Sequence, residues 1–329
     1  MVRMRLEPED DYLHALEQAS NFNESRYYNF FDPGPGFGGW VRMGNRPNEC
    51  HAEMTVCLYL PDGRVAFMYG RPPIADNDSF NAGGMRFEVV RPFEELHVSY
   101  EGRVVLLERP LEMADPKAAF SGNPHDDGKV SLTFTNVSTA FGGEPETPRE
   151  PTGEEFARGH YEQLIAGEGN IAVGDQTWEV RGFGLRDHSW GPRFWQAPWY
   201  YRWITANFGP SFGFMGSRIA RRESPGTRGG FVWDGTVMQL VDDFEIKTSW
   251  TGEESYHDSI EAVLRSRDRE WRVRGKVMSL IPLRNRRDGM VTRISEGLTE
   301  WCLDDGRVGY GLSEYLDQVL DGRPVGLDE

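Results

Sequence analysis

Lysine is nearly missing from this chain: of its 36 basic residues only Lys117, Lys129, Lys247 and Lys276 are lysines. None lies beside the chemistry-rich stretch described below, so a Schiff-base mechanism has no obvious nucleophile. Positive charge as a whole is short, with a formal net charge of −16 over 329 residues. Such a surface repels phosphate backbones and anionic lipid over a Debye length of about 8 Å at physiological salt. Nucleic acid and membrane are therefore not expected partners. Cysteine is scarce too: Cys50, Cys57 and Cys302 form neither a CxxC nor a disulfide framework and read as reduced, structural thiols. No apolar run approaches the roughly 18 residues a spanning helix needs. The N-terminus MVRMRLEPEDDYLHALEQ turns acidic where a signal peptide would turn apolar, which predicts a cytoplasmic protein. GxSxG, the dinucleotide fingerprint, HxH, HExxH and paired-Cys patterns are all absent, and PGPGFGG (Pro33 to Gly39) has too many prolines for a phosphate loop. Neither a metal nor an organic cofactor is expected.

What is present is β-sequence. After one amphipathic helical candidate at Pro8–Ser20, short apolar alternations surround turn pairs: Asp62-Gly63, Glu101-Gly102, Gly174-Asp175, Asp234-Gly235 and Asp305-Gly306. Small residues that tolerate positive φ between two β-favouring runs are the strongest local hairpin signal. Five or more hairpins predict an all-β fold of antiparallel sheets closed into barrels or sandwiches, with few short helices. The Pro/Gly/Glu-rich segment Thr139–Gly153 reads as an exposed loop. Pro192 and Pro198 interrupt a later aromatic run, and a junction near there divides the chain into domains 1–186 and 187–329. A small-molecule site at that seam is the expectation.

The densest chemistry lies in RGFGLRDHSWGPR, Arg181 to Arg193. In an extended strand Asp187 and Ser189 face one way and Arg186, His188 and Trp190 the other, so Asp187 and His188 converge only if a bulge or turn intervenes. A purely structural reading competes: a buried Asp187 accepting backbone N–H groups, Trp190 plugging a barrel end and Arg193 covering it. In GHYEQ, His160 and Glu162 share one strand face and Tyr161 and Gln163 the other. The aromatic band Phe194 to Trp203 includes Trp195 and Tyr200, and divides between core and the lining of an apolar pocket. GYGLSEYLDQ carries Glu314, and NFNESRYYNFFD carries Glu24, Tyr27 and Tyr28.

The run GHYEQ, then a hairpin, then GFGLRDHSWGPRFW, with GYGLSEYLD near the end, resembles the uncharacterised bacterial branch of the carotenoid hydratase (hydroxyneurosporene synthase)-like superfamily. The resemblance covers most of the chain, with DHSWGPR its most specific part, and it implies two tandem lipocalin-like β-barrels. It also implies Asp187 as candidate proton donor, with His188 and Trp190 beside it. The expected activity is a cofactor-free hydratase or dehydratase acting on a hydrophobic alkene or alcohol of terpenoid, steroid or polyketide type. Hydrating an unactivated alkene needs a carboxylic acid held protonated by desolvation, and aromatic faces to shield a cation. Asp187 is assigned as that acid, His188 or a water held by Glu162 as base, and Trp190, Trp195 and Tyr200 as the shield. Arg193, His160 and Glu314 complete the expected binding set. The same acid could drive isomerisation or cyclisation of a polyene, and a non-catalytic carrier of an apolar ligand needs only the cavity.

Overall fold

A computed structural model describes residues 3–147 and 156–328. The chain is all-β and antiparallel. It divides into two compact units, Met1–Glu108 with Phe120–Phe194, and Arg109–Ala119 with Trp195–Glu329. Among the described residues, no helix is long and apolar enough to cross a membrane.

The first unit is a closed ring of eight strands: β1 Phe22–Asp32, β2 Phe37–Arg46, β3 His51–Tyr59, β4 Val65–Gly70, β5 Glu95–Leu107, β6 His125–Asn136, β7 Gly159–Val173 and β8 Gln176–Pro192. Each pairs with the next in sequence, and β8 closes on β1 with Asp187 opposite Tyr27. This is an up-and-down barrel, which leaves no ring edge unpaired. Alternation does the sorting. Tyr28 and Phe30 of β1, Val41 and Met43 of β2, and Ile165 and Ile171 of β7 meet in one apolar interior. Burying each such side chain stabilises the fold by about 1.5–3 kcal/mol.

The second unit is a meander that stops short of closure. Its strands are β9 Tyr200–Asn207, β10 Gly213–Arg221, β11 Ser224–Trp233, β12 Met238–Val241, β13 Asp243–Thr251, β14 Tyr256–Arg265, β15 Glu270–Arg287, β16 Met290–Leu303 and β17 Val308–Leu320. β9 pairs with β17, and β12 and β13 are the two ends of the sheet. The result is a half-barrel around Ile204, Phe214, Phe244, Trp301 and Tyr315.

Four of the five turn pairs sit at hairpin tips, between β3 and β4, β7 and β8, β11 and β12, and β16 and β17. Glu101-Gly102 instead lies inside β5. There the Tyr100 hydroxyl donates to the Arg103 carbonyl at 2.8 Å, and a Cβ on Gly102 would lie 2.5 Å from that hydroxyl. The glycine thus serves a close approach and not a turn. The helix expected at Pro8–Ser20 is a single 3₁₀ turn, Pro8–Asp11, where Asp11 is drawn into a buried ion pair with Arg186 and Asp10 accepts the Glu7 backbone N–H at 2.7 Å. The expected loop at Thr139–Gly153 contains a strand, Phe141–Pro145, paired along His160 to Glu162; residues 148–153 of that segment lie outside the described residues.

Candidate functional site

The pairing of β7 with β8 runs unbroken from Val173 opposite Gln176 to Gly159 opposite Trp190. No bulge intervenes, so Asp187 and His188 keep opposite faces of the barrel wall. Glu162 stands directly opposite Asp187, and His160 opposite Ser189.

On the outward face, His160 Nε2 bonds directly to Asp187 Oδ2 and lies 3.6 Å from Glu162 Oε1. Glu162 is buried, whereas the His160 side chain is 43 % exposed and that of Asp187 20 %. Burial pushes the Asp187 carboxyl up, but the charge and hydrogen bond of His160, followed by Arg193, outweigh it and hold Asp187 ionised. Burial likewise opposes charge on His160, yet Asp187 and then Glu162 raise the imidazole to about 9. The acidic proton expected on Asp187 therefore resides on His160 near neutral pH, because an adjacent imidazole lowers a carboxyl more than partial burial raises it. Arg193 donates to Ser189 Oγ at 2.6 Å and to the Phe156 carbonyl at 3.1 Å.

On the inward face, the β7–β8 side chains join a buried network whose other members lie far away in sequence. Glu24 accepts hydrogen bonds from the His14 backbone N–H, the His14 ring (2.8 Å), Asn77 (2.6 Å) and His188 (3.0 Å). These donors overcome burial and bring Glu24 down to about 2. Burial, then Arg26, lowers His188 to about 4, so its ring is neutral. The indole of Trp190 is stacked on His14 at 4.0 Å. Deeper in the same network, Asp11 receives Arg186 at 2.9 Å, the Tyr161 hydroxyl at 2.5 Å and the Phe93 N–H at 2.5 Å. Asp11, His14 and Asn77 were not identified from the sequence, and no local pattern marks them.

Among the described residues, two groups hold three potential metal-ligand atoms within 4.8 Å of one another, His14–Glu24–His188 and His160–Glu162–Asp187. The first escapes spacing rules because its residues come from three segments, and the second because Asp187 lies on the neighbouring strand from His160 and Glu162. In the first, Glu24 is already engaged by four donors; in the second, the imidazole bonds straight to the carboxylate, so an ion would have to part them. Both fit hydrogen bonding better than coordination.

The remaining expected residues belong to the second unit. Tyr200 lies under the guanidinium of Arg202, 4.9 Å from its centroid. Glu314 accepts the Tyr201 hydroxyl and stands opposite Glu296 on β16. The Trp195 carbonyl accepts Gln318 Nε2 at 3.0 Å. On the inner side of this half-barrel, His257 is stacked on Tyr315 at 4.1 Å and contacts Ser313 Oγ at 3.0 Å; burial, then Arg202, lowers its ring to about 3.

An eight-stranded up-and-down barrel and a nine-stranded half-barrel define an all-β, two-unit class shared by several solved structures. Kievitone hydratase from Nectria haematococca aligns with a TM-score of 0.57 at 8% identity, covering 92% of this chain and 93% of that one. CghA in complex with Sch210972 aligns at 0.56 with 12% identity, covering 92% and 90%. A protein assigned as an AttH from Nitrosomonas europaea aligns at 0.54 with 12% identity, covering 93% and 98%. At these identities the likeness is one of fold. The chain itself belongs to the family described as "Domain of unknown function (DUF7064)", matched over residues 7–319. No curated protein matches its sequence.

Proposed function

We propose that the protein is a cofactor-free hydratase or dehydratase of a hydrophobic small molecule, with His160 as proton donor, Asp187 as the carboxylate that keeps it charged, and Glu162 as base. The observation that carries this reading is the His160–Asp187–Glu162 group itself: an imidazolium raised to about 9, open to the outside on one edge and backed by a second, buried carboxylate. The fold shared with a hydratase supports it as analogy only.

The acid decides the substrate class. An imidazolium cannot protonate an isolated alkene, and two of the expected aromatic shields, Trp190 and Tyr200, have their faces taken by His14 and Arg202. It can deliver a proton to the α-carbon of a double bond conjugated to a carbonyl, where the charge develops on oxygen. In hydration, Glu162 takes a proton from water, the water oxygen bonds to the β-carbon, and the His160 proton goes to the α-carbon. Dehydration reverses each step: neutral His160 removes the α-proton, the C–O bond breaks and protonated Glu162 gives its proton to the departing hydroxide. Acid and base lie 3.6 Å apart on one sheet face, so both new bonds form on the same side of the substrate. The same proton transfers without net water would isomerise a conjugated double bond.

The test is turnover of a panel of aryl and alkyl enones, read as the mass gain of one water, with wild type, His160→Gln and Asp187→Asn. His160→Gln should lose about 10²–10⁴ in rate. Asp187→Asn should also move the alkaline limb of the pH profile down from about 9, a shift that a merely structural role would not produce. Full turnover by His160→Gln would sink the reading. Activity that disappears on chelation and returns with zinc would replace it with a metal mechanism, and binding without turnover in every variant would favour a carrier.

A further inference from the structure

The outward face beside His160 carries a second cluster that proton transfer does not use. The face can be read in rows across the ladder. Ser25 stands between Ser189 and Gly44, and Asn23 stands opposite Gly191, with Arg46 two residues on from Gly44 along β2. Gly44 leaves bare backbone there: a Cβ would lie 2.8 Å from Asn23 Oδ1 and 2.9 Å from Arg42 Nη2, so the amide and the guanidinium meet over the glycine. Arg193 joins from the end of β8, its backbone N–H held by the Asn21 carbonyl at 3.1 Å.

Positive charge collects here against the sign of the whole chain. Arg42 and Arg71 share Glu53, at 3.7 and 3.4 Å, and Arg46 holds Glu49 at 2.6 Å. Four guanidiniums and the His160 imidazolium thus meet four carboxyl groups, Glu49, Glu53, Glu162 and Asp187, and the last two lie against His160. Burial and the nearby charge of Arg42, with Arg46 adding to it, lower Arg193 to about 10. Such crowding is costly unless an anion completes it. Two polar groups also wait unmet. Asn23 is fully buried, and among the described residues neither its amide nitrogen nor its amide oxygen has a hydrogen-bond partner; Arg46 Nη1, equally buried, has none either. Buried polar groups are rarely left unpaired unless a ligand or water completes them.

We propose that Arg42, Arg46 and Arg193, gathered around Asn23 and Gly44 on the outward face of the first barrel, form an anion subsite for the carboxylate or enolised 1,3-dicarbonyl group of an otherwise apolar substrate. A planar group with two oxygens matches the fork of a guanidinium, whereas a spherical anion does not. The proposal rests on the hydratase reading only in placing this head group beside the reacting pair.

Calorimetric titration of the full chain with decanoate, decanol and inorganic phosphate tests it, using wild type, Arg193→Gln, Asn23→Asp and His160→Gln, each checked by a melting curve. Decanoate should bind at least about tenfold more tightly than decanol. Arg193→Gln and Asn23→Asp should each cost about tenfold or more; Asn23→Asp is nearly isosteric and places a negative charge where the anion would sit. Equal binding of decanoate and decanol, or undiminished binding in a folded Asn23→Asp, overturns the subsite. Phosphate binding as tightly as decanoate overturns the organic-acid class. Enone turnover by His160→Gln would remove the acid while leaving decanoate binding in place, whereas loss of the decanoate preference with turnover intact would remove the subsite alone.

Discussion

Glu24 receives four donors while fully buried, and that count sets the cost of replacing it. Glu24→Gln keeps the shape but gives up the charge and one acceptor oxygen, leaving buried donors under-satisfied. We expect a loss of about 2–5 kcal/mol, read as a lower melting temperature. A variant that melts with wild type would show that the inner network does not hold the barrel. The two-residue alternation along RDHSW was legible in the sequence, because a strand admits no other sorting of its side chains. The partner of Asp187 was legible too, though unused: the tight turn at Gly174-Asp175 fixes the register, and counting back from it puts Glu162 opposite Asp187. The ionisation of Asp187 was not legible. It depends on a diagonal contact with His160 that burial arguments about a lone carboxyl ignore. Nor was Asp11, which comes from a 3₁₀ turn 150 residues before Tyr161.

Among the elements, hairpins announced themselves wherever the turn pair needed positive φ, as at Gly63, Gly174, Gly235 and Gly306. Glu101-Gly102 misled because composition cannot distinguish a glycine that turns from one that yields room to a tyrosine. Phe141–Pro145 was hidden inside a segment that looks like a linker. Its two glycines are why it can be a strand at all: Gly142 has φ +120°, and a Cβ there would lie 2.3 Å from the His160 carbonyl oxygen. Gly142→Ala should therefore push this strand off β7 at His160, costing about 1–3 kcal/mol in stability. Amide exchange at His160 to Glu162 should accelerate in that variant, and unchanged protection would mean that the strand does not brace the site.

For the whole molecule, acid is the condition to avoid. His188 and His257 are held neutral, at about 4 and about 3, while an unfolded histidine takes a proton near 6.5. A folded value below the unfolded one gives stability that is present above pH 6.5 and lost as pH falls toward 4 and 3. Each loss is on the order of 3–5 kcal/mol at full extent. His160 works in the opposite sense, contributing fully below 6.5 and losing its contribution as pH rises through about 9. Melting temperature should accordingly be highest near neutrality and fall steeply below pH 6. A flat profile from pH 7 to 4 would show that these imidazoles titrate freely. The closed ring of the first unit also has a temporal consequence. Its last strand, β8, must find its first, β1, across some 150 residues of chain. Such distant pairings are the slow part of folding. A ribosome delivering the N-terminus first thus releases Glu24, Tyr27 and Arg42 long before His188 and Asp187 exist to meet them. The proposed reactive group and the seal of the barrel are completed in one late event, and a chain truncated before Gln176 would have neither.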